Sequence, residues 1–177
     1  MEYSQKENVT ISEYINMIRL KTSVLVAASL GTGALVAGAT EKDTSTIYNF
    51  GLNMGLAFQL QDDLLDSFGD QEVFGKKIGN DILTNKRTFL VIKAFEKAMG
   101  IDLEKLKKYY SGEVYDPLEK INDIIKIFNK LDIRKETQDQ INHYHDKAIK
   151  YLIDLNVPHE RKKVLIEFSD VLMKRDK

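Results

Sequence analysis

Residues 58–66 read Phe-Gln-Leu-Gln-Asp-Asp-Leu-Leu-Asp, and they continue an apolar stretch that begins Gly51-Leu-Asn-Met-Gly-Leu-Ala. Such a stretch predicts a buried helix, and buried helices rarely carry three carboxylates, because an unpaired charge is costly to bury. On a helix Asp62 and Asp66 lie one turn apart on one face, whereas Asp63 is turned away by about 100°. We therefore expect at least one of the three acids to point inward.

These three acids suggest a metal site. Carboxylates that converge in a low-dielectric environment repel one another, and a hard cation removes that repulsion. Oxygen ligands suit Mg²⁺, which binds through one or two carboxylates, keeps several waters and bridges to substrate phosphates. The spacing of Asp62, Asp63 and Asp66 also fits acids on a solvated helix face. From the spacing alone, both interpretations stay open.

A glycine-punctuated loop with two lysines follows, Gly75-Lys-Lys-Ile-Gly-Asn-Asp81. It leads into a second predicted helix, which starts with Asn80 or Asp81 as its N-cap and runs to Ala98. In this interpretation Lys86 lies in the early turns of that helix. Lysines near several carboxylates suit a diphosphate that is bridged by a metal. Taken alone, the loop is an ordinary surface turn, because it is not a Walker sequence and no strand precedes it.

Together these segments resemble the second half of a trans-isoprenyl diphosphate synthase of the polyprenyl synthetase family. Gln59-Leu-Gln-Asp-Asp-Leu-Leu-Asp66 resembles the family's second aspartate-rich motif, and Tyr14-Ile-x-x-Ile-x-Leu-Lys-Thr22 resembles its Lys-Thr site. Gly75-Lys-x-x-Gly-x-Asp81 and Lys86-x-Thr88 complete the pattern. The resemblance extends over residues 1–177 and implies an all-α helical bundle of the isoprenoid (terpenoid) synthase type, incomplete at its N-terminal side.

The resemblance implies a magnesium centre with a diphosphate ligand. Asp62 would ligate the Mg²⁺ that bridges an allylic diphosphate, with Asp63 and Asp66 helping directly or through water. Asp81 would support these metal ligands without binding the metal itself. The implied reaction condenses the allylic diphosphate head-to-tail with isopentenyl diphosphate.

The resemblance also implies roles for residues outside the aspartate motif. Lys21 and Lys76 would contact the diphosphate, and Lys86 would hold its phosphates from the following helix. Thr22 and Gln59 would stabilise the allylic cation through their oxygen dipoles.

Two positions depart from the family's pattern. Lys77 stands where many members have a residue such as proline, and Asn85 stands where many have glycine. Neither position receives a role from the resemblance.

The family's first aspartate-rich motif and the adjacent arginine pair have no counterpart in residues 1–177. Family chains are longer at the N-terminal side, and Met1-Glu-Tyr-Ser-Gln resembles a stretch inside them. We therefore expect residues 1–177 to be the C-terminal part of a single all-α prenyl synthase domain that is inactive alone. The full-length enzyme would be a homodimer, and its product length depends on the region near the first motif.

Two other functions stay open. One is a non-catalytic regulatory or partner subunit of a heteromeric prenyl synthase. The other is a class I terpene cyclase-like enzyme, since cyclases also use Asp-Asp-x-x-Asp. The motifs from Gly75-Lys76 to Lys86-x-Thr88 favour the synthase, because cyclases typically present an Asn/Ser/Glu-type second metal motif instead.

Composition narrows the possible partners and the compartment. A net charge of −1 with 30% charged residues gives no bulk attraction to nucleic acid or to an anionic membrane. The absence of cysteine excludes disulfides and thiolate metal sites and fits a cytoplasmic protein. Two prolines and helical periodicity along the whole chain predict an all-α structure.

The run 22–40 carries no charge and is nearly as long as a membrane-spanning helix. It is rich in Gly, Ala, Ser and Thr and lacks aromatic anchors at its ends, so we expect a helix buried all round in a bundle rather than a membrane span. Where covering helices are missing from the chain, an apolar face should be exposed beside 22–40 and 51–58.

Overall fold

The computed structural model describes residues 9–69 and 78–174. Their contacts form two compact units. The described residues of the first unit lie within Met1–Tyr14 and Asp62–Gln138, and those of the second lie within Ile15–Gln61 and Asp139–Lys177. Both units consist of helices and turns, and no strand occurs in the described ranges. The predicted all-α class is therefore confirmed.

The helices are named here in chain order. They are α1 (Ile11–Ile18), a π-helical segment (Arg19–Ser23), α2 (Val24–Val36), α3 (Glu41–Phe68), α4 (Asn80–Leu83), α5 (Phe89–Lys97), α6 (Gly100–Tyr109), α7 (Pro117–Lys130), α8 (Ile133–Asp154) and α9 (His159–Met173). Within the part of the chain that the structure describes, no helix has the length and apolar character to cross a membrane.

Helix α1 begins with a capping box. The backbone N–H of Glu13 donates to Thr10 Oγ1 at 3.2 Å, and the Glu13 carboxylate accepts from the backbone N–H of Thr10 at 3.0 Å. This reciprocal pair satisfies two donors that the first helical turn leaves without partners. The motif Thr10-Ile-Ser-Glu13 thus fixes where the helix that leads to Lys21 and Thr22 starts.

Helix α3, which carries the three aspartates, starts at Glu41. Thr40 caps it, since its Oγ1 accepts from the backbone N–H of Asp43 at 3.1 Å and donates to the Asp43 carboxylate at 2.8 Å. The helix runs without a break to Phe68, so Asp62 and Asp66 lie one turn apart as the sequence predicted.

The run 22–40 contains all of helix α2, but the prediction that this helix is buried all round is wrong. Ala27 and Gly31 are buried, whereas Leu25, Leu35 and Val36 are 72%, 62% and 85% exposed. One side of α2 packs closely through its small residues Ala27 and Gly31. The opposite side is exposed apolar surface. The expectation of an exposed apolar face beside 22–40 is thereby confirmed.

Helix α3 packs closely against α2 within the second unit. A Cβ added at Gly51 would lie 2.9 Å from Ala27 Cα, and one added at Gly55 would lie 2.5 Å from Ser23 Cα. Residues 51–58 are buried or half-buried because of this packing. Residues 51–58 themselves therefore form no exposed apolar face.

The predicted helix from Asp81 to Ala98 is interrupted, and this prediction is also wrong. Helix α4 ends at Leu83, and Asn85 adopts a φ of +56°, a left-handed conformation that does not continue a helix. A new helix, α5, is capped by Thr88, whose side chain accepts from the backbone N–H of Val91 at 3.4 Å. Lys86 therefore lies in the segment between two helices and not in the early turns of one.

Candidate active site

Asp63 is the aspartate of the motif that points inward, with 1% of its surface exposed. Its Oδ2 accepts a hydrogen bond from the hydroxyl of Tyr14, and its Oδ1 lies 3.0 Å from Lys86 Nζ. Burial raises the pKa of the Asp63 carboxyl, while the Lys86 ammonium and the Tyr14 hydroxyl oppose that rise. The expectation that at least one acid points inward is confirmed, and Tyr14 and Lys86 are two of the groups that hold it.

Lys86 joins Asp63 to Asp81. Its Nζ lies 2.6 Å from Asp81 Oδ2, and 35% of its side chain is exposed. Burial acts to lower the pKa of Lys86, but the Asp63 and Asp81 carboxylates outweigh burial and raise it above its ordinary value. Lys86 is therefore a protonated ammonium at the edge of the solvent. An ammonium has three donors, of which these two carboxylates use two.

Asp66 ties the end of α3 to the start of α4. One of its carboxylate oxygens accepts from the backbone N–H of Asp81 at 2.8 Å, and its carbonyl oxygen accepts from the backbone N–H of Gly79 at 2.6 Å. Gly79 has a φ of +83°, and a Cβ there would lie 2.8 Å from the Ile121 side chain. A glycine therefore makes this close return of the chain possible.

Asp66 is half-buried and holds its proton more tightly than an ordinary aspartate. Burial raises the pKa of the Asp66 carboxyl to about 6, although the backbone N–H of Asp81 acts in the opposite direction. A carboxyl of this kind gives up its proton readily when a cation binds beside it.

The donors on α3 fit a hard divalent cation. Asp62 is exposed and Asp66 is half-buried, and the two share a helix face. Carboxylate oxygens beside solvent suit Mg²⁺, which binds few protein groups and keeps several waters. In residues 9–69 and 78–174, no three His, Cys, Asp or Glu side chains are grouped as ligands of a metal ion. The assignment of Asp62, Asp63 and Asp66 to Mg²⁺ stays a prediction.

Within the second unit the structure brings two predicted residues together. The hydroxyl of Thr22 donates to Gln59 Oε1 at 2.9 Å, so the Thr22 oxygen directs its hydrogen toward the amide. Thr22 and Lys21 lie in the π-helical segment, a distortion that is frequent at functional sites. The close approach of Gly55 to Ser23 brings this segment against α3. Lys21 is exposed.

One predicted site residue cannot be placed. Lys76 lies outside the described residues, and its contact with a diphosphate stays a prediction.

Tyr14 belongs to the network around Asp63, although the sequence motif that contains it gave it no role of its own. It is fully buried, and its hydroxyl supplies a hydrogen bond to the buried Asp63. Burial and the Asp63 carboxylate raise the pKa of the Tyr14 hydroxyl well above its ordinary value, so it stays a donor. The available signal was a tyrosine on the apolar face of a capped helix, because a buried tyrosine usually needs a hydrogen-bond partner.

The helices and this aspartate–lysine network define the class of protein, an all-α fold of the isoprenoid (terpenoid) synthase type. A crystal structure of a geranylgeranyl pyrophosphate synthase matches it with a TM-score of 0.89 at 40% identity, over 99% of this chain and 55% of that chain. The polyprenyl synthetase family model matches residues 1–128, and the chain belongs to that family. Its homologues are trans-prenyltransferases, which favours a synthase over a terpene cyclase.

Two further relatives show how much of a synthase this chain covers. A geranylgeranyl pyrophosphate synthase of Geoglobus acetivorans is 36% identical over 178 residues, which cover 99% of this chain and 52% of that protein. A geranylgeranyl pyrophosphate synthase of Corynebacterium glutamicum, complexed with isoprenyl diphosphate and magnesium, has a TM-score of 0.84 at 28% identity, over 95% of this chain and 48% of that chain. The chain thus spans about half the length of the relatives it matches.

Proposed function

We propose that this chain supplies the part of a trans-prenyltransferase that binds an allylic diphosphate through the second aspartate-rich motif. The observation that carries the proposal is the network in which Lys86 joins the buried Asp63 to Asp81, with Asp62 and Asp66 on the same helix as Asp63. A lysine that is held charged beside carboxylates suits a ligand that carries both phosphate groups and a divalent cation.

In this proposal the residues of α3 have different tasks. Asp62 and Asp66 hold the cation, for which we propose Mg²⁺, and Asp63 fixes Lys86 instead of coordinating. When bound, Mg²⁺ supplies charge neutralisation for the diphosphate. The related synthase that is bound to magnesium and isoprenyl diphosphate supports this choice of ligand.

We propose that the lysines bind the phosphates and that the polar oxygens of Thr22 and Gln59 act on the hydrocarbon. Lys86, together with Lys21 and Lys76, holds the diphosphate as negative charge develops on it. Thr22 and Gln59 direct oxygen lone pairs toward the developing allylic cation. These assignments follow the family's pattern, and the hydrogen bond between Thr22 and Gln59 supports their joint action.

The reaction we propose for the whole enzyme is head-to-tail condensation. The C–O bond of the allylic diphosphate breaks, and its electron pair leaves with pyrophosphate. The double bond of isopentenyl diphosphate then forms the new C–C bond to the allylic carbon, and loss of a proton restores a double bond. The products are a longer allylic diphosphate, pyrophosphate and a proton.

We further propose that this chain needs a first aspartate-rich motif from elsewhere before it turns over substrate, and that the complete cytoplasmic enzyme is a homodimer. The need for a first motif is supported by two observations. Asp-Asp-x-x-Asp occurs once in residues 1–177, and the relatives are about twice as long as this chain.

An assay of chain elongation tests the proposal. The chain is incubated with Mg²⁺, isopentenyl diphosphate and an allylic diphosphate, alone and with a separately expressed polypeptide that carries the first aspartate motif. We expect product only in the mixture, and we expect Asp62→Ala to abolish it. Asp154→Ala, at an exposed position on α8, is the matched control and should leave the yield unchanged.

Each other outcome has a definite meaning. Product from this chain alone would refute the need for a first aspartate-rich motif from elsewhere. If the mixture gives no product but the chain still binds diphosphate in a Mg²⁺-dependent way, the chain would be a partner subunit of a heteromeric synthase.

A further inference from the structure

Lys120 is a buried lysine outside the aspartate motif. It lies on α7, is 5% exposed, and its ammonium is 2.6 Å from Asn85 Oδ1. Among the described residues the ammonium's other contact is the ring of Tyr110, whose centroid is 5.3 Å away. Burial lowers the pKa of Lys120. Among the described residues no carboxylate is paired with this ammonium, and a buried cation without such a partner is costly unless its position brings a gain elsewhere.

The gain is a stabilised turn at Asn85, the residue immediately before Lys86. Asn85 adopts a φ of +56°, a left-handed conformation that asparagine accepts more readily than most residues other than glycine. Its backbone N–H donates to the Ile82 carbonyl at 3.2 Å, and that of Lys86 donates to the Asp81 carbonyl at 3.0 Å. The turn at Asn85 therefore sets the position from which the Lys86 side chain reaches Asp63 and Asp81.

The ring of Tyr110 supports the turn from both sides of Lys86 in the sequence. The Arg87 guanidinium lies 4.9 Å from the centroid of this ring and 4.8 Å from that of Phe95. Lys120, which holds Asn85, contacts the same Tyr110 ring. Asn85, which precedes Lys86, is thus held by Lys120, and Arg87, which follows Lys86, packs on the ring directly. Lys120 and Arg87 contact the same Tyr110 ring.

We propose that Lys120 is a positioning residue for the diphosphate site, since it holds Asn85 in its left-handed turn and thereby fixes the Lys86 ammonium between Asp63 and Asp81. Among the described residues the Lys120 ammonium contacts Asn85 and the Tyr110 ring, and it acts through the backbone of the turn. The consequence for diphosphate binding rests on the proposed function, whereas the consequence for the turn does not.

The test compares Lys120→Met, which keeps the apolar stem and removes the ammonium, with Lys126→Met on the exposed side of the same helix. Two quantities are measured in the folded chain. The first is the hydrogen-exchange rate of the Lys86 and Asp81 amides, and the second is the Kd for inorganic pyrophosphate with Mg²⁺. We expect Lys120→Met to speed exchange and to weaken binding by about tenfold each. We expect Lys126→Met to change neither.

A rescue separates positioning from general packing. Asn85→Gly accepts the left-handed φ without help from a side chain. In the Asn85→Gly background, Lys120→Met should therefore change amide exchange and Kd much less than it does in the wild type. If Lys120→Met does not fold, Asn85→Ala tests the same link, because it removes the acceptor and disfavours the turn. We expect it to speed exchange and weaken binding where Asn85→Gly does not.

The results decide the two claims separately. A Lys120→Met chain that unfolds more easily but keeps wild-type amide exchange and Kd would overturn the positioning role. Equal effects of Lys120→Met in the wild-type and Asn85→Gly backgrounds would overturn it as well. A wild-type chain that does not bind pyrophosphate with Mg²⁺ would refute the proposed function, and the amide exchange would then decide the role of Lys120 alone.

Discussion

The ammonium of Lys86 lies 3.0 Å from Asp63 Oδ1, a carboxylate oxygen on a side chain that is 1% exposed. The pair joins the middle of the aspartate motif to the segment between two helices, 23 residues later in the chain. Asp63 therefore stabilises the fold and holds the lysine that we assign to the diphosphate, while Asp62 one residue earlier faces solvent.

This difference predicts unequal losses of stability for two adjacent substitutions. Asp63→Asn removes one partner of a buried ion pair, and we expect it to lower the free energy of unfolding by roughly 3 kcal/mol. Asp62→Asn changes an exposed side chain and should alter stability by no more than about 0.5 kcal/mol. Urea denaturation of the metal-free chain measures both values. Equal stability of the two variants would show that Asp63 is not held as described.

The hydroxyl of Tyr14 is another partner of Asp63. Tyr14→Phe keeps the ring and removes the donor, so one lone pair of a buried carboxylate loses its partner. We expect a loss of about 1–3 kcal/mol in the free energy of unfolding. The control is Tyr151→Phe on the half-buried part of α8, which should cost no more than about 0.5 kcal/mol. A Tyr14→Phe chain as stable as this control would contradict the assignment.

The raised pKa of Asp66 predicts a pH dependence with a definite sign. Its folded pKa is about 6, whereas the unfolded value is about 4. The folded state then binds the proton more tightly, so this contribution to stability is complete below about pH 4 and is lost as pH rises through about 6. Asp66→Asn does not titrate. We expect it to gain stability relative to the wild type between these pH values, as measured by urea denaturation in EDTA.

Asp43 provides a control of opposite sign. The backbone N–H of Asn156 and the hydroxyl of Thr40 lower the pKa of the Asp43 carboxyl. Its contribution to stability is present above its unfolded pKa of about 4 and is lost as pH falls through the folded value. Asp43→Asn should therefore lose stability relative to the wild type at neutral pH. The same direction of change in both variants would refute the assignment for Asp66.

Two glycines predict opposite effects of the same substitution. A Cβ at Gly55 would lie 2.5 Å from Ser23 Cα, so Gly55→Ala must push α3 away from the segment that carries Thr22. We expect a cost of about 1–3 kcal/mol from this overpacking. Gly33 on α2 has nothing within 4 Å of an added Cβ, and Gly33→Ala should stabilise the helix by about 0.5–1 kcal/mol. Thermal unfolding followed by circular dichroism separates the two, and similar shifts in Tm would be evidence against this close approach.

The sequence predicted the helical class and the spacing of the acids, because these depend on local periodicity and on neighbouring residues. It did not predict which aspartate is buried. Apolar residues surround all three, and the choice depends on Tyr14 and Lys86, which are 49 and 23 residues away from Asp63. Only tertiary packing brings these two partners to the same carboxylate.

The break between α4 and α5 was missed for a related reason. Asparagine is compatible with a helix interior, and what holds Asn85 in a left-handed turn is Lys120, 35 residues later on another helix. The burial of α2 was overestimated because uniform apolarity does not reveal which side of a helix has a neighbour. Within the second unit Ala27 lies against α3, and Leu25 is exposed.

The most direct test of the central claim is calorimetric titration of the chain with geranyl diphosphate, with Mg²⁺ and with EDTA, in the wild type, Asp62→Asn and the exposed control Asp154→Asn. We expect binding by the wild type and the control with Mg²⁺, loss with EDTA, and at least about tenfold weaker binding by Asp62→Asn at unchanged stability. Binding that is independent of Mg²⁺, or that is equal in Asp62→Asn and the wild type, would contradict a metal-dependent diphosphate site on α3.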